Sequence, residues 1–359
     1  MGKRARVDGA LIVEALLAYS VRQPGGIRVD VENQARGIRE RGGEVRVVRT
    51  VKELRRGLHE LPRALVHVYG CLPSPAAWSM MAAAKAARRP LVWTPTFHPS
   101  RRHMWHQRGA LRVMEGFDLV APRAARFTDA VVALTDEEAD FFSHLGAPVV
   151  RVIPPAVGSI AAALSDEQRR SARRRLRAGD GPLVLCVGRS EGRKGVDFAA
   201  TVIASIRRQI PDATLLLIGT PEDHRLAALP GIVCTGWISD ELVDLAYGCA
   251  DITFVPSRYE AFSRVVIEAW AHACPVIVTE GVALAPVVKR SGGAVVPYGA
   301  EELAARAIVD LLRDEARRRQ VGAAGKAFVE ASFLLDQAVD QTVLLYEQLA
   351  GGSDGDERG

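Results

Sequence analysis

The chain has 359 residues, of which 48% are hydrophobic and 25% are charged. This is the composition of an ordinary soluble globular protein, and the length exceeds what one hydrophobic core usually supports, so we expect two domains. No apolar run approaches the roughly 18 residues that span a bilayer. The basic start is followed by an apolar run that Glu14 interrupts, so no signal peptide is predicted.

Positive charge is concentrated in the first half of the chain. Residues 1–156 contain 24 Lys and Arg against 15 Asp and Glu, a net charge of +9, whereas the remainder carries −4. A basic half favours an anionic partner such as a membrane surface or a lipid phosphate, although arginines also serve simply to solvate helices. Aromatic residues make up only 6% of the chain and no RNA-binding motif is present, so nucleic acid is not an expected partner.

The cysteines are scattered along the chain and form no C-x-x-C pair. They are Cys71, Cys186, Cys234, Cys249 and Cys274. An odd, scattered set predicts neither a disulfide framework nor a zinc ribbon, and it fits a reducing environment. We therefore predict a cytoplasmic protein, with peripheral membrane association through the basic first half as the open alternative.

Short apolar runs alternate with helical patterns in both halves. The first half has predicted strands at 10–15, 44–48, 64–69, 91–96, 130–134 and 149–153. The second half has them at 183–187, 214–218, 232–235, 252–255, 276–278 and 294–296. Near-continuous apolar strands separated by helices predict parallel sheets covered on both faces, so the fold class is α/β with two Rossmann-like domains.

Two prolines mark the predicted boundary between the domains. Pro154 and Pro155 end the last strand of the first half and stop the chain from continuing that sheet. The first domain is therefore predicted at 1–156 and the second at 157–333, followed by a final helical pattern at 334–350. Residues 351–359 are polar, rich in glycine and without an apolar anchor, so we expect a disordered tail.

The first half contains two places with candidate ligand-binding residues. Gly25 and Gly26 precede the first helix, where glycines allow close approach of a ligand and the helix N-terminus attracts anions, although glycines also simply end strands. His98 follows a strand at its carboxyl end and is either a ligand-facing residue or a satisfied loop histidine. With His103 and His106 it forms a local cluster, but no carboxylate or thiol lies close in sequence and no metal site is predicted.

A loop with two cations follows the first strand of the second half. Gly188 and Arg189 come directly after the strand, and Lys194 precedes a helix that begins near Gly195. At the carboxyl end of a parallel strand such a loop lies in the ligand crevice, where two cations could neutralise a diphosphate. A solvated surface loop is the alternative, and Arg193 is a rival for the role of Lys194.

Two glutamates flank the start of a helix further along the second half. Glu260 lies in the loop after an apolar strand, and Glu268 lies inside a helix that opens near Phe262 or Ser263. The free amides of the first helical turn form an anion site and carboxylates hold hydroxyls, which together suit a nucleotide-sugar. The spacing alone equally allows a solvated Glu260 and a surface ion pair between Arg264 and Glu268.

These two elements resemble the signature of a known enzyme family. The segment 256–279 resembles that of the retaining GT-B glycosyltransferases of family 4, the glycosyl transferases group 1, in which two glutamates separated by seven residues precede a small-residue, proline and apolar strand. The segment 187–195 is similar to the family's strand, Gly-Arg, loop and Lys-Gly element. The resemblance covers residues 181–350 well and the first half in outline. It implies the GT-B architecture, in which two Rossmann-like domains face each other across a cleft.

The resemblance implies roles for the residues of the second half. Glu268 would bind the ribose hydroxyls and Glu260 the hydroxyls of the transferred sugar, while Arg189 and Lys194 would stabilise the leaving diphosphate. The implied donor-binding positions also include Gly188, Trp237, Ile238, Phe262, Ser263 and Arg264. Trp237 and Ile238 would lie against the nucleobase, and the amides of the last three would contact phosphates and sugar. The family usually has glycine where Ser263 stands, so this side chain would narrow the room beside the sugar.

For the first half, the resemblance implies a Gly-Gly loop, here Gly25 and Gly26, that faces the donor phosphates from across the cleft. A histidine after a strand reaches the transferred sugar in this family, and His98 is preferred to His67 for that role. The first domain would bind the acceptor, the second would bind the donor, and the final helix would cross back onto the first domain.

The implied activity is that of a retaining hexosyltransferase. It would move a sugar from a nucleoside-diphosphate-sugar to a hydroxyl of a lipid-linked, polysaccharide or small-molecule acceptor. Basic side chains and helix amides do the electrostatic work in this family, so neither a metal nor a cofactor is expected. Two other interpretations stay open: a GT-B sugar-nucleotide epimerase, and a non-catalytic protein that keeps the fold as a binding or docking scaffold.

Overall fold

The computed structural model describes residues 6–7, 10–11, 13–19, 25–70, 74–95, 120–189, 192–219 and 224–352. The chain divides into two compact units, one made of Met1–Gly158 with Leu335–Gly359 and the other of Ser159–Leu334. Of the tail predicted to be disordered, Gly351 and Gly352 are instead helical, and residues 353–359 lie outside the described residues.

The first unit is built on a parallel six-stranded sheet. A short antiparallel pair, β1 (Arg6–Val7) and β2 (Ala10–Leu11), precedes it. The sheet strands are β3 (Glu14–Tyr19), β4 (Glu44–Val48), β5 (Leu65–Tyr69), β6 (Leu91–Thr94), β7 (Ala130–Ala133) and β8 (Val150–Val152). Their order is β4-β3-β5-β6-β7-β8. The helices between them are α1 (Gly26–Glu40), α2 (Val51–Glu60), α3 (Pro75–Ala86), α4 (120–127) and α5 (Asp136–His144).

Both faces of this sheet are covered by apolar residues. Because side chains alternate along a strand, neighbouring residues of β3 enter different cores. Leu16 and Ala18 pack in the core that includes residues of α2 and α3, whereas Leu17 and Tyr19 pack in the core that includes residues of α1. Burial on both faces explains why these strands are apolar along their whole length.

The first sheet strand lies later in the chain than the apolar pattern predicts. The pattern places it at 10–15, but the structure has it at Glu14–Tyr19. The residues from Ala15 to Tyr19 are at most 1% exposed, and β3 pairs with both β4 and β5. An apolar run shows that a strand exists but carries no signal for its ends, so the prediction is wrong by four residues at each end. The other predicted strands agree with the structure to within two residues at each end.

The second unit has its own parallel six-stranded sheet. The strands are β9 (Leu183–Val187), β10 (Thr214–Ile218), β11 (Ile232–Gly236), β12 (Ile252–Val255), β13 (Val276–Thr279) and β14 (Ala294–Val296). The helices are α6 (Asp166–Arg175), α7 (Val196–Arg207), α8 (His224–Ala227), α9 (Asp240–Cys249), α10 (Arg264–Ala271), α11 (Ala285–Arg290), α12 (Glu301–Arg313) and α13 (Glu315–Ser332). The sheet order is β11-β10-β9-β12-β13-β14.

The strand order reverses between β9 and β12. From β9 the next two strands extend to one side, whereas β12 and its successors extend to the other. The two central strands are paired, with Val184 opposite Ile252 and Leu185 opposite Thr253. In open α/β sheets, ligands bind beyond the carboxyl ends of the strands at such a reversal. The fold therefore brings the loops after β9 and β12 side by side.

Close helix packing fixes the position of α10. A Cβ atom at Gly325 of α13 would lie 2.1 Å from Cδ1 of Trp270, and one at Gly322 would lie 2.0 Å from the carbonyl oxygen of Ala273. The two glycines therefore allow α13 to approach α10 and the turn after it at distances that any side chain would prevent. Trp270 itself is fully buried. This contact anchors the helix that carries Glu268.

The last helix, α14 (Leu335–Gly352), belongs to the first unit and packs against α1. A Cβ atom at Gly37 of α1 would lie 2.5 Å from Cγ2 of Val339, so the glycine permits the close contact. The guanidinium of Arg41 donates to the carboxylates of Asp336 and Asp340 at 3.0 and 2.6 Å. These contacts attach α14 to α1.

His67, the rival of His98 in the sequence, lies in the middle of β5 and is 1% exposed. Its Nδ1 lies 2.6 Å from the hydroxyl of Tyr346, and its Nε2 lies 2.7 Å from Oγ1 of Thr94. The ring stacks on Tyr69 with 4.1 Å between the centroids. Burial lowers the pKa of His67 to about 3, so the ring is neutral at physiological pH. It therefore links α14 to the sheet as a buried structural residue.

Lowering the pH should reduce the contribution of His67 to the free energy of unfolding. The pKa of His67 is about 3 in the folded chain, well below its ordinary value of 6.5, so its stabilising effect is complete above pH 6.5 and falls as the pH drops towards 3. Over this range the free energy of unfolding falls by about 1.4 kcal/mol per pH unit, because the unfolded chain binds one more proton than the folded chain. His67→Gln should have a lower thermal midpoint than wild type at pH 7.5, but its midpoint should fall less than that of wild type between pH 6.5 and 4.5. The exposed His59→Gln is the matched control, and equal acid sensitivity of His67→Gln and wild type would contradict the prediction.

Candidate active site

The candidate site is formed by the loops that follow β9 and β12. After β9, the chain passes Gly188 and Arg189, makes a 3-10 turn at Gly192–Lys194, and enters α7 at Val196. After β12, the chain runs to Ser263, and α10 begins at Arg264. The two loops are joined directly, because the backbone N–H of Arg258 donates to the carbonyl of Arg193 at 2.7 Å. Their neighbouring positions follow from the reversal in strand order.

The centre of the site is an ion pair between the two loops. Nζ of Lys194 lies 2.8 Å from Oε1 of Glu260, and the hydroxyl of Ser257 donates to the same oxygen at 2.6 Å. Glu260 is only 8% exposed. Its backbone is held as well, since its N–H donates to Gly281 at 2.9 Å and its carbonyl accepts from Ala283 at 3.0 Å. The solvated Glu260 that the spacing allows is therefore excluded.

Glu260 is ionised at neutral pH. Burial alone would raise its pKa, but the charge and hydrogen bond of Lys194, with smaller effects from Ser257 and Arg193, outweigh burial and hold the pKa below its ordinary value. An ionised carboxylate only accepts hydrogen bonds, and it offers about four acceptor positions, of which Lys194 and Ser257 use two on one oxygen. The geometry thus leaves capacity for hydroxyl donors of a ligand.

Arg193, the rival of Lys194, makes a different contact. Its guanidinium lies over the ring of Tyr259, 5.9 Å from the centroid. Lys194, in contrast, reaches the buried carboxylate of Glu260. The structure therefore favours Lys194 as the cation at the centre of the site, with Arg193 contributing positive charge nearby.

Glu268 lies in α10 and is held by two partners. Nε of Arg264 donates to its Oε1 at 3.1 Å, which is the i,i+4 contact that the spacing allows. The hydroxyl of Tyr247 donates to its Oε2 at 3.0 Å. Tyr247 comes from α9 and is not a candidate in the sequence, because a tyrosine on an amphipathic helix has the pattern of an ordinary core residue.

Ser263 has an unusual backbone conformation at the start of α10. It precedes the helix with φ of 88° and ψ of 91°, and its side chain makes no capping hydrogen bond. A positive φ is costly for a residue with a Cβ atom, by roughly 1–3 kcal/mol, and persists only where the surroundings enforce it. Its Oγ is buried and has no hydrogen-bond partner among the described residues. The family's usual glycine would avoid this strain.

Ser263→Gly should therefore be more stable than Ser263→Ala by about 1 kcal/mol. Both changes remove the hydroxyl, so its loss cancels and the difference is dominated by the conformational cost of a Cβ atom at this φ. Part of the relief is offset because glycine loses more backbone entropy on folding. Urea denaturation of the two variants would measure the difference, and equal stabilities would show that the conformation is not strained.

The other predicted donor-binding residues lie at the ends of strands or beside α10. Gly188 follows β9 with φ of 159°, and a Cβ atom there would lie 3.6 Å from Cδ of Lys194. Trp237 and Ile238 follow β11, and the Trp237 side chain is 63% exposed. Phe262 is buried and packs edge-on against Phe333, with 5.7 Å between the centroids.

Of the candidate residues in the first unit, Gly25 and Gly26 lie among the described residues and His98 does not. Gly25 caps α1 in an extended conformation, and Gly26 is the first helical residue. They follow β3, which lies beside the reversal of strand order in the first sheet, so their position matches that of a ligand-binding loop. His98, with His103 and His106, lies outside the described residues, and its role stays a prediction.

Within the described part of the chain, no helix is both long and apolar enough to cross a membrane. Among the residues that the structure describes, no group of three or more His, Cys, Asp and Glu side chains is arranged to hold a metal ion. Cys186, Cys234, Cys249 and Cys274 are free thiols, and Cys71 lies outside the described residues.

Two Rossmann-like units, each built on a parallel six-stranded sheet, are the architecture of the GT-B fold. Residues 181–314 match the family described as glycosyl transferases group 1. This match confirms the resemblance that the motifs of the second half show to that group.

Solved structures share the fold over nearly the whole chain. Sucrose-phosphate synthase from Thermosynechococcus elongatus has a TM-score of 0.78 at 21% identity, covering 94% of this chain and 100% of that one. Anabaena HepE in complex with UDP and glucose has a TM-score of 0.76 at 18% identity, with the same coverage of 94% and 100%.

Sequence similarity to a characterised enzyme extends over part of the chain. A GDP-mannose-dependent alpha-(1-6)-phosphatidylinositol monomannoside mannosyltransferase of Mycobacterium tuberculosis is 28% identical over 227 residues, which are 58% of this chain. The match spans 59% of the length of that enzyme.

Proposed function

We propose that this protein is a retaining glycosyltransferase that moves a hexosyl group from a nucleoside-diphosphate-sugar to an acceptor hydroxyl. The observation that carries the proposal is the buried contact of Lys194 with Glu260, placed at the strand reversal beside the N-terminus of α10. It combines a cation for phosphate, a carboxylate for sugar hydroxyls and helix amides for an anion in one place.

Lys194 would neutralise charge on the leaving diphosphate. An ammonium has three N–H donors, and one of them is directed at Glu260, so two remain for phosphate oxygens. Arg189, at the end of β9, would supply the second positive charge. Because Lys194 is only 16% exposed, its charge is weakly screened by solvent, which strengthens its effect on developing negative charge.

The two glutamates would divide recognition of the donor between them. Glu260 would accept hydrogen bonds from hydroxyls of the transferred sugar, and Glu268 would accept them from the ribose. The amides of Phe262, Ser263 and Arg264 would contact phosphate and sugar. These positions follow the chain from the loop into α10, in the same order as the parts of a nucleotide-sugar.

In the proposed reaction, the bond between the anomeric carbon and the diphosphate oxygen breaks while the acceptor oxygen bonds to the same face of that carbon. The electron pair of the broken bond stays on the diphosphate, and the leaving phosphate oxygen takes the proton of the acceptor hydroxyl. No side-chain base is then required. Lys194, Arg189 and the helix amides supply the electrostatic stabilisation, so the reaction is proposed to be independent of a metal and of a cofactor.

The donor base and the acceptor are proposed only as classes. GDP-mannose is the donor in the name of the mycobacterial relative, and UDP and glucose are bound in the HepE structure, so guanine and uracil nucleotides are the first candidates. The relative acts on a phosphatidylinositol mannoside, and the first half of this chain carries a net charge of +9. Both points favour a lipid-linked or anionic acceptor, with the protein cytoplasmic and peripheral to the membrane.

The test is a panel of UDP, GDP, ADP and TDP in a thermal-shift assay, followed by turnover with sugar donors of the base that binds. A nucleotide-dependent rise in the midpoint and release of free nucleoside diphosphate with an acceptor would support transfer. Conversion of the donor to its epimer without release of nucleoside diphosphate would instead indicate an epimerase. Absence of any nucleotide-dependent shift would contradict the proposal and favour a non-catalytic scaffold.

A further inference from the structure

The carboxylate of Glu268 is fixed from two sides by groups on different helices. Arg264 donates to Oε1 at 3.1 Å, and Tyr247 donates to Oε2 at 3.0 Å. An ionised carboxylate has about four acceptor positions, two on each oxygen. The two partners therefore occupy one position on each oxygen and leave one on each.

Tyr247 is built as a rigid donor. It is 1% exposed, and its ring stacks on His272 with 5.7 Å between the centroids. Nε2 of His272 lies 3.5 Å from Oδ1 of Asp244, one turn before Tyr247 on α9. Burial, and then the charge of Glu268, raise the pKa of Tyr247 well above its ordinary value, so the hydroxyl keeps its proton at any physiological pH.

We propose that Tyr247 is a positioning residue for nucleotide recognition, whose hydroxyl orients Glu268 so that its two remaining acceptor positions receive the two vicinal hydroxyls of a ribose. The inference rests on the proposed function, in which Glu268 binds the ribose. Without the hydroxyl of Tyr247, Glu268 would keep only the contact from its own helix, and the carboxylate could rotate. Tyr247 thus tunes the preference for a ribonucleotide over its deoxy form, although it does not itself touch the ligand.

The test uses Tyr247→Phe, which removes the hydroxyl and keeps the ring packing. The ligands are the ribonucleoside diphosphate, among UDP, GDP and ADP, that gives the largest thermal shift, and its 2′,3′-dideoxy counterpart. The variant should bind the ribonucleotide about 10-fold more weakly, since a hydrogen bond to a charged group is lost. Its affinity for the dideoxy form should change by less than about 2-fold, because that ligand offers no hydroxyl for Glu268 to accept.

Two controls separate positioning from a general structural effect. Tyr346→Phe removes a buried tyrosine hydroxyl from the first unit, and it should lower the thermal midpoint without changing nucleotide affinity. In a Glu268→Gln background, Tyr247→Phe should have little further effect, because both changes act through the same contact.

Each outcome decides the inference. Equal losses for both nucleotides, or an unchanged affinity for the ribonucleotide, would overturn the role of Tyr247 and leave the proposed function standing. Failure of the wild type to bind any nucleoside diphosphate would overturn both. Calorimetric titration gives the affinities for this comparison.

Discussion

Replacing Lys194 by methionine is expected to reduce sugar transfer by at least about 100-fold, the usual effect of removing one group that stabilises charge in a transition state. Methionine keeps much of the side-chain length and removes the ammonium, so the leaving diphosphate loses one of its two proposed cations. Turnover would be measured as release of nucleoside diphosphate from the donor identified in the thermal-shift panel.

The same substitution should also weaken the fold, because Lys194 and Glu260 form a mostly buried ion pair. Removing one partner leaves the other charge buried, which typically costs about 3–5 kcal/mol. Glu260→Gln removes the charge that needs compensation, so the double variant Lys194→Met with Glu260→Gln should regain most of the stability lost by Lys194→Met. It should not regain activity, because both proposed contacts to the donor are altered.

Arg208→Met is the matched control for this experiment. Arg208 pairs with Glu302 at the same distance of 2.8 Å, but the two side chains are 60% and 79% exposed. An exposed pair contributes about 0–1 kcal/mol, so this variant should fold and turn over like the wild type. Wild-type turnover in Lys194→Met, or activity restored in the double variant, would remove Lys194 from the proposed mechanism.

Much of the site can be predicted from the sequence because its parts lie in short segments with fixed local geometry. A strand, a loop and a helix in sequence place Lys194 and Glu260 at the carboxyl ends of parallel strands. Their direct contact could not be predicted, since 66 residues separate them and the strand order alone decides whether the loops meet. The sequence predicts an anion site and a hydroxyl-binding site separately, and the strand order brings the two loops together.

The supporting residues are hidden for a different reason. Ser257 and Tyr247 act on the glutamates through a single hydroxyl each, and neither has a neighbour in sequence that marks this function. Ser257 follows a strand and has the pattern of an ordinary turn residue, while Tyr247 has the pattern of the core. A hydrogen-bond partner is fixed by tertiary packing, and hydrophobic periodicity reports only that a residue is buried.

The second large effect on activity is expected at Gly195, where the loop after β9 packs against the loop after β12. Gly195 has φ of 69°, and a Cβ atom there would lie 2.0 Å from the carbonyl oxygen of Pro256 and 3.1 Å from Cε2 of Tyr298. The ring of Tyr298 can move, but the carbonyl of Pro256 belongs to the loop that carries Glu260. Alanine at 195 would therefore have to push the two loops apart in addition to adopting an unfavourable φ.

Gly195→Ala should lower the thermal midpoint by several degrees, since each kcal/mol shifts the midpoint of a unit of this size by about 2–4 °C. Turnover should fall by about 100-fold, because displacement by about 1 Å is enough to misplace a reacting group. Nucleotide affinity should fall as well, since Lys194 directly precedes Gly195 and would move with it.

Gly192→Ala, three residues earlier in the same loop, provides the control. A Cβ atom at Gly192 meets nothing within 4 Å, and its φ lies outside the range that disfavours a side chain. Loss of activity in both variants would mean that the loop tolerates no side chain and that its flexibility matters. Loss only in Gly195→Ala would show that the distance between the loops after β9 and β12 determines whether Lys194 and Glu260 act together, which is the geometric condition on which the proposed transfer depends.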